Sequence, residues 1–443
     1  MVHKFHDSAA AAPVAGYLPF STPGDVITFY RGPMGLRVED DTAAELPGVI
    51  ALVLRSGSHL QWGVDMGGAS LDLRRQWRHR EGHPRVTLTA PFHGATVELD
   101  VHLSGDGQGF FGGLCTSGDG DAPLREVIAH WVNLPDLPHG AYLCHEDPDG
   151  SWTEWGGRWA LALGDWEIVI DARPDLRETL AEAKRERLYA VTHTMRARRN
   201  DGATFTGREA QDLRVGLQIA FSFALGRWTA PVLAVGRDAT GSITWSEWSP
   251  LHLDSPAKAH GRWWVEHRPV DLQQYLALFI ARWGKADQRD SLRFLATSAI
   301  AAGESGFLEQ QVMTAIAALE HLAWRTFRRD DGSAAERLGR LLKAMSVPPE
   351  VSSEHQPALA TFCQSINGNA LDALVRIRNS ITHPKQTPAI YRQRGLLSEA
   401  SLLASRYLDL AVLHSLGYAG RTADRTITTG WAGDGAPVPW VDA

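Results

Sequence analysis

A chain of 443 residues with 44% hydrophobic and 21% charged residues has the composition of an ordinary folded protein, long enough for two or three domains. Its formal net charge of -7 argues against wholesale coating of nucleic acid, so any basic site has to be local. Cys115, Cys144 and Cys363 are widely spaced and form no Cys-x-x-Cys pair, which suggests neither a disulfide framework nor a cysteine zinc site and fits a reducing cytoplasm.

The opening stretch "MVHKFHDSAAAAPVAGYLPF" lacks the apolar core of a signal peptide, and the richest apolar run, "YLALFIARW", is far shorter than a membrane span. The chain therefore reads as soluble and cytoplasmic, with no membrane partner. Residues 1–265 carry short strand-like runs such as "DVITFY", "GVIALVL", "TVELDVHL", "WEIVIDA" and "SITWSEW", separated by Gly, Pro and Asp turns. This predicts a β-rich domain, a sandwich or barrel, interrupted by a helix at "TGREAQDLRVGLQIAFSFALG", which opens with a Thr206/Glu209 capping box and closes at Gly226.

Beyond that point the apolar period changes to that of a helix, so the fold class is α+β, with a β-rich N-terminal domain followed by an all-α bundle. Residues 266–303 read as a helical linker, 304–420 as the helical bundle and 421–443, rich in Gly, Pro and Thr, as a loosely held tail. Ser333 with Glu336 forms a capping box, Asn369 caps the helix "NALDALVRIRNSITH", and Gly417 follows the last helix.

Several motif-like strings are explained by ordinary structure. "GQGFFG" (Gly107 to Gly112) matches Gly-x-Gly-x-x-Gly without the strand-to-helix context that nucleotide binding needs. Asp175, Glu182 and Lys184 imitate a nuclease metal set but lie in a stretch of high helix propensity, where a solvated charged helix is expected. His139, Cys144, His145, Glu146 and Asp147 form a polar loop without zinc-site spacing. Of the 16 tryptophans, 12 fall before residue 265; core packing is the expectation, with a sugar-binding ladder of Trp152, Trp155 and Trp159 as the alternative.

The informative stretch is "LVRIRNSITHPK". Leu371, Leu374, Val375 and Ile381 flank Arg378 at helical spacing, so a guanidinium lies on an apolar stripe and needs a partner, with Glu320 as one candidate. His383 precedes Pro384, which ends the helix there and sets an imidazole at the negative end of the helix dipole, as a general acid near neutral pH would be set. The spacing alone is uninformative, because "RHREGH" repeats it. Positions five apart lie roughly 140° around an ideal helix and about 7.5 Å along it. Arg378 and His383 must therefore converge by reach, by unwinding at the proline, or across two copies of the helix. Between Leu371 and Arg394 the cations Arg376, Arg378, Lys385, Arg392 and Arg394 face a single acid, Asp372, which suits a phosphodiester ligand.

The helix "RIRNSITHP", with "FLEQQVMTAIAALEHLAWRTF" before it and "LSEASLLASRYLDLAVLHSLGY" after it, resembles a HEPN domain of the ApeA-like branch found in anti-phage abortive infection proteins. The region "YAVTHTMRARRND" to "ITWSEW" is similar, more diffusely, to the N-terminal region that accompanies such domains. The resemblance covers residues 304–420 most specifically. It implies a homodimer through the motif helix and metal-independent cleavage of RNA without a cofactor. In that reaction the 2′-hydroxyl attacks phosphorus, His383 serves as general acid or base, Arg378 stabilises the phosphate charge and Asn379 orients the pair. Arg376, Lys385, Arg392 and Arg394 would hold RNA, a structured one such as tRNA, and the β-rich half would sense a phage-derived trigger or restrain the nuclease. The alternative is a HEPN bundle that only dimerises or binds RNA.

Overall fold

The computed structural model describes residues 11–38, 42–55, 59–69, 86–92, 95–105, 107–111, 115–137, 140–146, 149–248, 252–258, 263–265, 268–304, 306–327, 332–383, 389–427 and 434–441. The chain divides into two compact units, residues 1–215 with 229–258, and residues 216–228 with 259–443.

In the first unit, six strands close an antiparallel barrel: β1 (Val26–Val38), β2 (Thr42–Val53), β3 (His59–Val64), β4 (Val86–Phe92), β5 (Ala95–Gly105) and β6 (Gln108–Phe111), in the order β1-β2-β3-β6-β5-β4. Alternation puts Met34, Leu36, Leu46, Ile50, Leu52, Trp62 and Leu88 into its core, because successive strand residues face opposite sides. "GQGFFG" is accounted for here: Gln108–Phe111 is β6, and Gly107 holds a positive φ of 70° at its start. Gly112 lies outside the described residues.

The rest of the unit is an eight-stranded sheet of β7 (Cys115–Gly118), β8 (Glu126–Val132), β9 (Ala141–Glu146), β10 (Trp152–Leu163), β11 (Trp166–Ala172), β12 (Val191–Arg199), β13 (Ala230–Arg237) and β14 (Ile243–Trp248). Its order is β7-β14-β13-β8-β12-β11-β10-β9, so β8, with the buried run "VIAHWV", is central. α1 (Leu176–Glu186) connects β11 to β12, and α2 (Gly207–Leu225) connects β12 to β13. Asp175 and Glu182 fall on or beside α1, with Asp175 bound to Arg173 at 2.5 Å, so this set forms a charged helix and its cap. Cys144, His145 and Glu146 lie in β9, while His139 and Asp147 fall outside the described residues. Trp152 is exposed, Trp155 half-buried and Trp159 buried, so the three share no open face and the sugar-ladder alternative loses its geometry.

α2 opens with the expected capping box, Thr206 N–H donating to Glu209 Oε2 at 2.8 Å and Glu209 N–H to Thr206 Oγ1 at 3.2 Å. Its last turns belong to the second unit, where the Tyr275 hydroxyl donates to the Ala220 carbonyl at 3.1 Å and Gly216 leaves room for the Trp283 indole.

The second unit is helical: α3 (Pro269–Trp283), α4 (Ala286–Glu304), α5 (Leu308–Phe327), α6 (Ala334–Ala344), α7 (Pro357–Ser365), α8 (Ala370–Thr382) and α9 (Leu396–Leu416). α9 is buried on nearly every side and packs against α3, α4, α5, α7 and α8. Two sequence expectations are corrected. The presumed linker 266–303 is α3 and α4, packed helices whose Leu272, Tyr275, Leu276, Phe279, Leu292 and Leu295 are buried. The described residues after α9 are held, not loose. Arg421–Thr422 pairs with Ala436–Pro437, Trp440 Nε1 donates to the Tyr418 carbonyl at 2.7 Å, and Arg425 meets Asp409 of α9 at 2.5 Å. Beside the ion pair with Asp409, Val438 of this segment is buried, and a Gly-, Pro- and Thr-rich composition announces neither contact. No helix among the described residues is long and apolar enough to cross a membrane.

Arg425 and Asp409 are only 4% and 2% exposed, so neither charge has water to fall back on. Arg425→Met is expected to cost about 3–5 kcal/mol in a urea melt by stranding Asp409, and Arg425→Met with Asp409→Leu to recover most of that loss.

Candidate active site

α8 forms where its sequence says it should. Asn369 Oδ1 accepts the N–H groups of Leu371 at 2.8 Å and Asp372 at 3.2 Å, and Asp372 Oδ2 accepts the Asn369 N–H at 3.0 Å, closing a capping box. At the other end, His383 leaves the helix with φ -131° and ψ 62°, its N–H still donating to the Asn379 carbonyl at 2.8 Å.

The apolar stripe is covered only along its first turns. Ala370, Leu371, Ala373, Leu374 and Ile377 are buried, whereas Val375, Arg378 and Ile381 are half-exposed. Arg378 thus sits where the covered stripe ends, and its partner there is Glu320 of α5, which it contacts through Nη2. Its Nη1 donates to Asn379 Oδ1 at 2.9 Å. The structure therefore joins three of the residues that sequence singled out, Glu320, Arg378 and Asn379, into one chain of polar contacts.

His383 is exposed, and its imidazole makes no hydrogen bond among the described residues. Among the described residues no hydrogen bond joins Arg378 to His383. Arg376, Arg392 and Arg394 are exposed, the first on α8 and the other two in the turn before α9, and no ion pair among the described residues joins them to the motif. Lys385 lies outside the described residues.

Sequence reading missed the surroundings of Glu320. Met313, Ala317, Glu320 and Trp324 recur at helical spacing on one face of α5, and Met313, Ala317 and Trp324 are exposed, with the Arg337 guanidinium 5.4 Å from the Trp324 ring centre. The neighbouring His321 turns toward α4, its Nε2 3.0 Å from Ser291 Oγ and its ring against Phe294; burial, aided by Arg325, lowers its pKa. A cavity of about 850 Å³ lined by Glu336, Leu342, Lys343, Asn369 and Asp372 lies at the N-terminal end of α8, away from the motif. Its acids are spent on the two capping boxes, so the motif end remains the candidate site.

Two family models match this chain. Residues 119–259 match the YopA central domain and residues 296–435 the YopA C-terminal domain. The first spans β8 to β14 and ends beside the boundary between the units; the second runs from within α4 and includes Glu320, Arg378 and His383. The chain is 24% identical over 300 residues to the SPbeta prophage-derived uncharacterized protein YopA of Bacillus subtilis (strain 168), covering 65% of this chain and 67% of the relative. No solved structure matches.

The side chains of Arg378 and Glu320 are 24% and 21% exposed, so water screens their attraction. A double-mutant cycle of Arg378→Ala and Glu320→Ala is expected to give a coupling of about 1 kcal/mol or less in chemical denaturation. A coupling of about 3 kcal/mol, the top of the range for interacting pairs, would mark the contact as structural.

Proposed function

We propose that the C-terminal unit is a HEPN-type, metal-independent endoribonuclease, active as a homodimer and deployed as a toxin-like effector against phage. The observation that carries this reading is the end of α8, where a half-exposed Arg378 braced by Asn379 shares the last turns with an exposed His383 whose imidazole makes no hydrogen bond among the described residues. No hydrogen bond joins the two among the described residues, and two copies facing each other across α8 would supply the Arg/His sets of a shared cleft. Half-exposed Val375 and Ile381, with exposed Met313 and Trp324 on the α5 face that carries Glu320, offer apolar surface for that pairing.

In the proposed reaction one His383 takes the 2′-hydroxyl proton while the 2′-oxygen attacks phosphorus. The other protonates the departing 5′-oxygen, leaving a 2′,3′-cyclic phosphate and a 5′-hydroxyl. The planar Arg378 guanidinium binds two oxygens of the five-coordinate phosphate, where charge builds up. Glu320 occupies that guanidinium at rest, so an incoming phosphate has to displace a carboxylate. Arg376, Lys385, Arg392 and Arg394 would steer RNA, and a phage-derived trigger would act through the β-rich unit. The prophage origin of the relative supports a setting in phage–host conflict.

The Arg378–Glu320 contact favours one second reading, in which Arg378 is structural and the bundle only dimerises or binds RNA. Purified protein should cleave total RNA in EDTA, Arg378→Ala and His383→Ala should each lose at least about a hundredfold, the scale of general acid–base catalysis, and Glu320→Gln should cleave faster. Equal cleavage by all variants, or loss of cleavage in EDTA, would overturn the ribonuclease mechanism. Harmless overexpression unchanged by His383→Ala would favour the second reading.

A further inference from the structure

In the first unit, the register of the eight-stranded sheet lines up a polar row inside the protein. Arg158 pairs with Asp171, Asp171 with Thr194 and Thr194 with His130, across β10, β11, β12 and β8. Residues directly opposite on neighbouring strands share a face. Asp171, Thr194 and His130 are 2%, 4% and 0% exposed.

The chain ahead of β1 crosses this row as a strap. Ala11 bonds to the edge strand β9, Arg158 Nη2 donates to the Ala12 carbonyl at 2.9 Å, and Val14 N–H donates to Asp171 Oδ2 at 2.7 Å. Gly16 lies where a Cβ would come within 2.7 Å of His130 Nε2, which itself accepts the Leu18 N–H at 3.3 Å. His130 can accept because burial lowers its pKa to about 3 and keeps the ring neutral.

Beside these contacts, strap and sheet enclose a cavity of about 320 Å³. For scale, an apolar cavity of about 150 Å³ admits one benzene ring, and small-molecule sites start near about 300 Å³. Trp155, Phe20, Val14 and Leu18 supply its apolar wall. Thr194 also lines it, and the Thr194 hydroxyl makes no hydrogen bond among the described residues. Asp171 is the carboxylate of the lining, already neutralised by Arg158 at 2.6 Å, and no Lys or Arg lines the cavity among the described residues. His145 also lines the cavity from an exposed position, so a phosphate or carboxylate would find no guanidinium or ammonium group there, only that imidazole, whereas a donor would find Thr194 Oγ1 and the remaining lone pairs of Asp171.

We propose that this cavity binds a small, uncharged ring compound bearing an N–H or O–H donor, with its ring against Trp155 and Phe20 and its donor on Thr194 or Asp171. The site is independent of the ribonuclease reading.

The test uses the full chain and three probes, indole, 1-methylindole and indole-3-acetate, titrated by saturation-transfer NMR. Indole should bind, 1-methylindole should bind about threefold to tenfold more weakly for want of one hydrogen bond, and indole-3-acetate should not bind. Thr194→Val should weaken indole by a similar factor while leaving 1-methylindole nearly unchanged. Thr153→Trp, at an exposed position on the cavity rim, should abolish binding of both without unfolding the chain. No binding of indole up to its solubility, indole binding unaltered in Thr153→Trp, or binding of indole-3-acetate as tight as indole would each overturn the proposal.

Discussion

The helical unit has to accommodate a buried carboxylate, Asp409, on its most buried helix. α9 is buried on almost every side, which makes it the element the other helices pack around, and a carboxylate in such a helix has no water to solvate it. Burial raises its pKa to about 6 although the guanidiniums of Arg425 and Arg406 pull the other way. Arg425 comes from beyond the end of α9, so answering this charge requires the chain to turn back onto its own last helix. Arg406 with Asp424 at 3.1 Å adds a second tie between the same two segments. These two ion pairs tie the described residues after α9 back to that helix.

Arg378 and Glu320 are the same chemistry in a different place. Both pairs join an arginine to a carboxylate across two segments, yet one is sealed and the other keeps about a fifth to a quarter of each side chain in contact with solvent. A sealed pair can only be broken by unfolding, because any replacement partner must also be desolvated. A half-exposed pair can be opened by a competing anion, and a phosphate is a good competitor for a guanidinium. This difference in exposure separates a sealed arginine from one that an anion in solution can reach, and it arises because the covered stripe of α8 stops one turn before the helix does.

The β-rich unit meets its buried polarity by the same means. A row from Arg158 to His130 would be costly on a sheet face left to apolar packing. The strap from Ala11 to Leu18 supplies two N–H donors and one carbonyl to it, and leaves a cavity where the backbone stands off from the strands. Distant segments brought in to satisfy buried groups thus shape both units.

What the sequence determined by itself were features whose cause is local. The capping boxes at Thr206, Ser333 and Asn369, the end of α8 at His383 and the change from strand to helix period all rest on bonds between residues a few positions apart. Arg378 announced its need for a partner because an arginine on an apolar stripe has to be answered, and Glu320 could be named because it sits on a neighbouring amphipathic helix. Tertiary structure alone decided the closure of six strands into a barrel, the packing of residues 266–303 into the bundle, the return of the C-terminal segment and the polar row beneath the strap. Each joins residues far apart in sequence, such as Val14 with Asp171. Such pairs leave no periodic trace, because the need of a buried charge or amide fixes that a partner must exist and not where along the chain it lies.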